Sequence, residues 1–186
     1  MKVLVFMFLF FLNYGFSQDN KKEFKGITLI EEYTSTNYST PDSLLFFSRG
    51  HWEYEKYYQI LFKKLKKEFK KSKVITEFFF ENNDSISSKV NSFEEMEYKY
   101  DNLNKRIVCV FSISNIDSNL NRISQKTGQS VFINPKRIMY YLLYMILIDQ
   151  ETSEILLKRK FSVEANEIYY SNNRNLAKAI AQEIKM

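Results

Sequence analysis

The sequence predicts an α/β (α+β) fold: a single mixed sheet of about five strands, with helices packed on the sheet, in the order β-α-β-(α)-β-β-β-α. Three observations support this prediction. One long segment repeats apolar residues at helical spacing, five short segments are rich in β-branched and aromatic residues, and the last segment again has helical spacing. With 186 residues, 45% of them hydrophobic, the chain has the length and composition of one globular domain.

The first 17 residues have the pattern of a secretory signal peptide. Lys2 precedes the unbroken apolar run Val3–Leu12, and the small residues Gly15 and Ser17 suit cleavage after Ser17. The run is too short to span a bilayer, which needs about 20 residues. We therefore predict a signal peptide, 1–17, followed by a single α/β domain, 18–186. No cysteine lies near the cleavage point, so export without a lipid anchor is expected.

The first half of the domain predicts a strand, a helix and a second strand. Ile27–Tyr33 is the first strand, and residues 34–50 predict a connection because turn-forming residues fill their first part. Residues 51–72 predict the helix and Val74–Phe80 the second strand, which together with the first strand suggests a right-handed βαβ unit. The apolar stripe of the helix consists of Tyr54, Tyr58, Leu61, Phe62, Leu65 and Phe69.

The second half predicts three strands in an antiparallel meander and a final helix. Arg106–Ser114 predicts a strand covered on both faces, because its centre is apolar without alternation. Ile138–Asp149 favours a strand over a buried helix, and Glu154–Ala165 alternates as a half-exposed strand. Ser92 and Glu95 have capping-box spacing, which predicts a short helix before this meander. The predicted buried side of the last strand consists of Ile155, Leu157, Phe161 and Val163. The final helix is predicted to begin at Asn172 or Asn173. Its apolar stripe consists of Leu176, Ala177, Ile180, Ala181 and Ile184.

The segment from Tyr144 to Leu156 resembles a strand–turn–strand motif of several bacterial envelope domains. These are the periplasmic domain of the curli-secretion lipoprotein, the N-terminal domain of TolB, and the LpoB-type lipoproteins that activate penicillin-binding proteins. The element order is also similar over most of residues 26–186. The resemblance implies a non-catalytic domain that binds other proteins or assembles with itself. The acylated cysteine of the lipoprotein members is missing.

The matching motif residues are Asp149, Thr152, Glu154 and Ile155. Ser153 stands where a glycine is usual in the motif. Because serine tolerates a positive φ poorly, the hairpin is expected to use a different turn.

Composition disfavours most enzymatic chemistries. His51 is the only histidine and is expected to be solvated at the start of the helix, and Cys109 is expected to be a buried, inert thiol. One histidine and one cysteine make a zinc site improbable, and the four glycines form no phosphate-binding loop. Acidic clusters such as Asp149–Glu154 leave a carboxylate-based hydrolase as a minor alternative. We predict no cofactor and no enzymatic activity.

Charge and apolar residues in the predicted connections suggest three interaction surfaces. The chain has a formal charge of +5, and lysines fill the polar face of the predicted helix. They could serve only to complement the helix dipole, or they could attract an anionic surface. Nucleic acid is not expected, because the protein is predicted to be exported and no aromatic residues lie among the lysines. Apolar clusters in the two long connections could instead bind a partner, and the second of these clusters is Val131, Phe132 and Ile133. The candidate residues are Leu44, Leu45, Phe46, Phe47, Lys63, Lys66, Lys67 and Lys70.

These observations favour an exported, non-catalytic cell-envelope domain, periplasmic or associated with the outer membrane, that acts through protein–protein interaction or self-assembly. The alternative is a small-ligand or lipid-binding protein whose aromatic core retains a pocket.

Overall fold

A computed structural model describes residues 24–82, 90, 92–96, 105–114, 117–120, 137–166 and 170–186. The predicted signal peptide lies outside these residues. No helix among them is long and apolar enough to cross a membrane. In chain order the elements are β1 (Ile27–Thr34), β2 (Ser43–Gly50), α1 (Glu55–Phe69), β3 (Ile75–Asn82), β4 (Ile107–Ile113), β5 (Asp117–Leu120), β6 (Arg137–Asp149), β7 (Glu154–Asn166) and α2 (Asn173–Ile184).

The strands form one mixed sheet in the order β1-β7-β6-β4-β2-β3, and the short β5 pairs with the first part of β6. β2 runs parallel to both β3 and β4, and the other pairs are antiparallel. The predicted mixed sheet with helices packed on it is therefore confirmed, and so is the meander of β4, β6 and β7. Within the described ranges the sheet has seven strands rather than about five, because β2 and β5 lie in segments predicted to be connections.

The prediction that β1 and β3 form the parallel pair of a βαβ unit was wrong. β2, not β1, precedes α1 and pairs in parallel with β3, while β1 lies at the opposite edge of the sheet, antiparallel to β7. Four consecutive apolar residues, Leu44–Phe47, occupy the centre of β2. A strand covered on both faces needs such a run without alternation. The same pattern predicted β4 correctly.

Both faces of the sheet are covered. On the helical face, α1 and α2 pack against side chains such as Phe46, Phe111 and Phe161. On the opposite face, Val90 and residues 92–96 cover a second apolar cluster that includes Phe47. Where a short helix is predicted, the described residues 92–96 form a turn, and the rest of that segment lies outside the described residues.

The two helices run side by side in the same direction. Near their N-terminal ends, Asn173 Nδ2 donates to the carbonyl of Tyr57 (3.2 Å). Near their C-terminal ends, Lys185 Nζ donates to the carbonyl of Glu68 (2.8 Å). The predicted apolar stripes are confirmed, since their residues are buried apart from the partly buried Tyr54. Parallel packing places the negative dipole ends of both helices at the same end of the helical layer.

The β6–β7 hairpin corrects two expectations. Ser153 adopts a φ of 58°, the left-handed conformation that the sequence argued against. Side-chain hydrogen bonds hold this turn, because Asp149 Oδ1 accepts from the amide of Glu151 (2.9 Å) and Thr152 Oγ1 accepts from that of Glu154 (3.3 Å). An irregularity in the β6–β7 pairing also turns Ile155 toward the face opposite the helices, away from the predicted group.

Arg159 of β7 is a buried charge on the helical face. Its Nε lies 2.6 Å from Glu183 Oε2, and the two side chains are 1% and 5% exposed. Its Nη1 donates to the carbonyl of Tyr33 (2.6 Å) and its Nη2 to Thr34 Oγ1 (2.9 Å). One guanidinium thus joins β1, β7 and α2.

Candidate binding surfaces

The lysine face of α1 is defined here as Lys63, Lys66, Lys67 and Lys70, and all four side chains are exposed. Helical spacing places them opposite the apolar stripe, which is buried against the sheet. After α1 the backbone tightens into a short 3-10 turn, and Lys73 takes a φ of 60° before β3 begins. The helix thus ends inside the lysine-rich segment.

Positive charge is concentrated at the C-terminal ends of the two helices. Lys185 lies with its Nζ 4.8 Å from the ring centroid of Phe69. Partial burial lowers the pKa of Lys185, Glu68 opposes this shift, and Lys71 adds to it. Burial is thus the main cause of this shift, and the positive charge of Lys71 acts in the same direction. The helix dipoles favour positive charge at these C-terminal ends.

The charge of the chain is divided unevenly. Residues 51–73 and 173–186, which contain both helices, carry eleven lysines and arginines and four glutamates, a surplus of seven positive charges. Because the whole chain has a formal charge of +5, the remainder has a net charge of −2. The helical layer is therefore the basic side of the protein.

The apolar cluster predicted to lie in a connection is not a surface. Leu44 and Phe46 are fully buried on the helical face, while Leu45 and Phe47 are buried on the opposite face. Phe46 lies 5.3 Å from Phe78, measured between ring centroids. These four residues therefore belong to the core. The lysine face is the part of the predicted set that is accessible among the described residues. The second predicted apolar cluster, Val131, Phe132 and Ile133, lies outside the described residues.

The groups considered for catalysis have structural roles or unfavourable surroundings. Cys109 is fully buried, and burial raises the pKa of its thiol well above the usual value. His51 is partly buried at the start of a 3-10 turn, where its Nδ1 accepts from the amide of Glu53 (3.4 Å). No group of three or more metal-ligating side chains occurs within the described segments.

The acidic cluster at the β6–β7 hairpin is engaged in local contacts. Arg106 Nη2 lies 2.8 Å from Asp149 Oδ2, and its Nε lies 3.2 Å from Glu151 Oε2. Glu154 accepts a hydrogen bond from the hydroxyl of Ser35. The hydrogen bond from Arg106 lowers the pKa of Asp149, although burial acts in the opposite direction. A general acid needs a raised pKa, so this shift does not suit that role.

Sequence reasoning missed a cleft at the edge of the sheet. The cleft has a volume of about 710 Å³ and lies between β1 and α2. Apolar side chains of Ile27, Leu29 and Phe161 line it, together with Ala179 of α2. Glu31 and Glu32 also line it. Two adjacent glutamates in a strand are typical of a sheet edge, and this signal could have placed β1 there.

Gly26 shapes one end of this cleft. It has a φ of 73°, and a Cβ atom at this position would lie 2.6 Å from Asn172 Nδ2. A side chain would therefore meet both backbone strain and a close contact. Asn172 Nδ2 donates to the carbonyls of Lys25 and Glu164, 2.9 Å in each case, which ties the start of β1 to the segment before α2.

No family model and no curated protein matches the chain. A PelC L103M dodecamer from Paraburkholderia phytofirmans is similar in structure, with a TM-score of 0.48, 10% identity, and coverage of 86% of this chain and 97% of that one. A PDZ domain protein from Parabacteroides distasonis has a TM-score of 0.43, 10% identity, and coverage of 84% and 36%. A minor lipoprotein from Acinetobacter baumannii has a TM-score of 0.28, 7% identity, and coverage of 76% and 83%. All three are bacterial proteins, and these values assign neither a family nor a function to this chain.

Proposed function

We propose that this chain is an exported, non-catalytic domain of the bacterial cell envelope that binds an acidic protein partner through the lysine face. The observation that supports the proposal is the uneven charge, with a surplus of seven positive charges in the helical layer. The four lysines of the face are exposed along one side of a helix that is fixed rigidly to the sheet. Such a surface attracts an acidic partner over long distances.

An acidic protein fits this surface better than a lipid layer does. A helix that lies in a membrane interface buries its apolar face among the lipids. The apolar face of α1, including Leu61, Leu65 and Phe69, is already buried in the core. The exposed side of α1 is mainly charged, and a folded acidic surface can match the fixed spacing of its lysines.

The alternative of a small-ligand or lipid-binding protein has less support. The aromatic residues that could have lined an internal pocket are packed against one another. Phe46 lies within 6.5 Å, between ring centroids, of each of four other phenylalanines, namely Phe62, Phe69, Phe78 and Phe111. Such close packing leaves little room for a ligand in that part of the core.

The experiment compares binding of the purified chain to poly-L-glutamate, as an acidic polypeptide, and to vesicles containing phosphatidylglycerol. Lys63, Lys66, Lys67 and Lys70 are changed together to Glu, and the matched control changes the same positions to Arg. We expect the Glu variant to lose affinity for poly-L-glutamate by on the order of 100-fold, because each exposed charge pair contributes about 0.2–1 kcal/mol and charge reversal adds repulsion. The Arg variant should bind like the unchanged chain.

Three results would contradict the proposal. One is unchanged binding of the Glu variant to poly-L-glutamate, and the second is equal loss in the Arg variant. The third is binding to the vesicles but not to the polypeptide, which would identify a membrane surface instead of a protein. Circular dichroism of each variant checks that the fold is retained. Raising the salt concentration from about 50 to about 300 mM should weaken the expected binding, because exposed charges are screened.

A further inference from the structure

β1 lies at an edge of the sheet, and α2 lies next to this edge. β1 pairs with β7 on one side. On its other side, the described residues show no strand partner, and only its first residue is bridged, where the Ile27 amide donates to the carbonyl of Phe24 (2.9 Å). β3, at the far edge of the sheet, also has one strand neighbour in the described part of the chain. The 710 Å³ cleft lies along β1, and α2 lines its other side with Ala179, Gln182 and Glu183.

The two sides of β1 differ in chemistry. Ile27 and Leu29 pair with residues of β7 that face the helices, and together with Phe161 and Ala179 they form the apolar part of the cleft. Gln182 and Glu183 of α2 add polar groups to its lining. Glu31 pairs in register with Lys160, whose Nζ lies 3.8 Å from Glu31 Oε2 on the face away from the helices. An apolar stretch on the helical side and Glu31 on the other side therefore lie along the same open edge. The pairing shifts register between Leu29 and Glu31, which places Glu32, opposite Arg159, on the helical side.

We propose that the cleft between β1 and α2 binds an extended peptide segment of a partner protein, which adds to β1 as a further strand and alternates apolar with basic residues. An added strand would form backbone hydrogen bonds with the open edge of β1. Its side chains point to opposite faces with a period of two. Every second side chain would enter the apolar part of the cleft beside Ile27 and Leu29, and those between would lie on the side of Glu31.

Charge complementarity selects the basic residues. Glu31 and Glu32 are both exposed, and the cleft that they line has Lys25 as its one cationic residue among the described lining residues. The acidic character is distinctive in a chain with a charge of +5. The lysine face should attract acidic partners, so this site and that surface have opposite charge preferences and can be tested separately.

The test uses three synthetic octapeptides with blocked ends. The first alternates Val and Lys, the second has the same composition with four Val followed by four Lys, and the third alternates Val and Glu. Binding to the purified, isotope-labelled chain is measured by amide hydrogen exchange and by chemical shifts. The alternating Val–Lys peptide is expected to slow exchange of β1 amides by about tenfold or more, because new backbone hydrogen bonds protect them. It should also shift the amide signal of Ala179.

The other two peptides should bind at least about tenfold more weakly. Protection of β1 to the same degree by the blocked-sequence peptide would overturn strand addition, and equal binding of the Val–Glu peptide would overturn the charge preference. The absence of protection with all three peptides, or protection of β3 instead, would overturn the site.

Two variants locate the binding. Ala179→Phe fills the cleft and should reduce the affinity for the Val–Lys peptide by about tenfold or more. Glu31→Lys replaces the acidic group on the side away from the helices without touching the core and should also weaken binding. Its matched control is Glu53→Lys, which makes the same charge change at an exposed position outside the cleft and should leave affinity for this peptide within about twofold. If Glu31→Lys and Glu53→Lys have equal effects, the binding is not at β1.

Discussion

On one face of the sheet, two helices bury aromatic side chains and an ion pair; on the other, a turn over residues 92–96 and Val90 cover a smaller apolar cluster. The neighbours Phe46 and Phe47 point to these two faces. Phe46 is 0% exposed and packs among other rings, while Phe47 is 2% exposed and stacks on Phe79, which is 48% exposed. Equal burial of two identical residues therefore does not mean equal packing, because the neighbours of Phe47 can yield more easily.

The largest expected loss of stability comes from truncating a phenylalanine on each face of the sheet, and the two losses compare the packing of the faces. Phe46→Ala should lower the free energy of unfolding by about 4 kcal/mol, because a cavity opens among closely packed rings. Phe47→Ala should cost less, about 3 kcal/mol, because the half-exposed Phe79 can move toward the space. Urea unfolding of both variants at neutral pH measures the difference. A larger loss for Phe47→Ala would show that the face opposite the helices is the more tightly packed one.

A buried and a more exposed ion pair allow the same comparison for charged side chains. Arg159 and Glu183 are 1% and 5% exposed on the helical face, whereas Arg49 and Glu81 at the other end of the sheet are 23% and 35% exposed. Glu183→Ala should cost about 3 kcal/mol, because it leaves a buried guanidinium without its carboxylate. Glu81→Ala should cost less than about 1 kcal/mol, since water can solvate Arg49.

The double variant Arg159→Met/Glu183→Leu provides the control. It removes both buried charges at once and should recover most of the stability lost in Glu183→Ala. Thermal and urea unfolding of all three variants give the values. If the double variant is no more stable than Glu183→Ala, the loss arises from packing and not from an uncompensated charge.

The smallest effect is expected at the rim, where Asp149 pairs with Arg106. The pKa of Asp149 is lowered from its ordinary value of 3.8, mainly by the hydrogen bond from Arg106. A lowered folded-state pKa contributes stability above the unfolded pKa, and this contribution is lost as the pH falls through the folded value. Asp149→Asn should therefore be less stable than the unchanged chain at about pH 7, and the gap should narrow toward about pH 3. A gap of constant size between these pH values would exclude the ion pair as its cause.

The local spacing of apolar residues was sufficient to predict most of the helices and strands. The apolar stripes of α1 and α2 and the apolar or alternating runs of β4, β6 and β7 predicted the right structure at nearly the right residues. These patterns arise because a helix or strand buries one side or both, with a period fixed by its backbone. For the same reason, helical spacing alone was enough to place the lysine face opposite the buried stripe.

Strand order depended on the tertiary structure. Leu44–Phe47 has the composition of a buried strand, yet turn-forming residues before it suggested a loop, and the partners on both sides come from distant segments. The burial of Arg159 requires Glu183 from α2, 24 residues later, and no local pattern indicates that pairing.

Local sequence patterns were enough to predict the helices α1 and α2, most of the strands and the concentration of positive charge on α1, because each depends on residues a few positions apart. Three features became visible in the folded chain alone: Leu44–Phe47 belongs to the core, β1 lies at an edge of the sheet, and a cleft lies between β1 and α2. These features depend on which distant segments pair, and pairing is set by contacts over the whole sheet and not by the spacing of residues within one element.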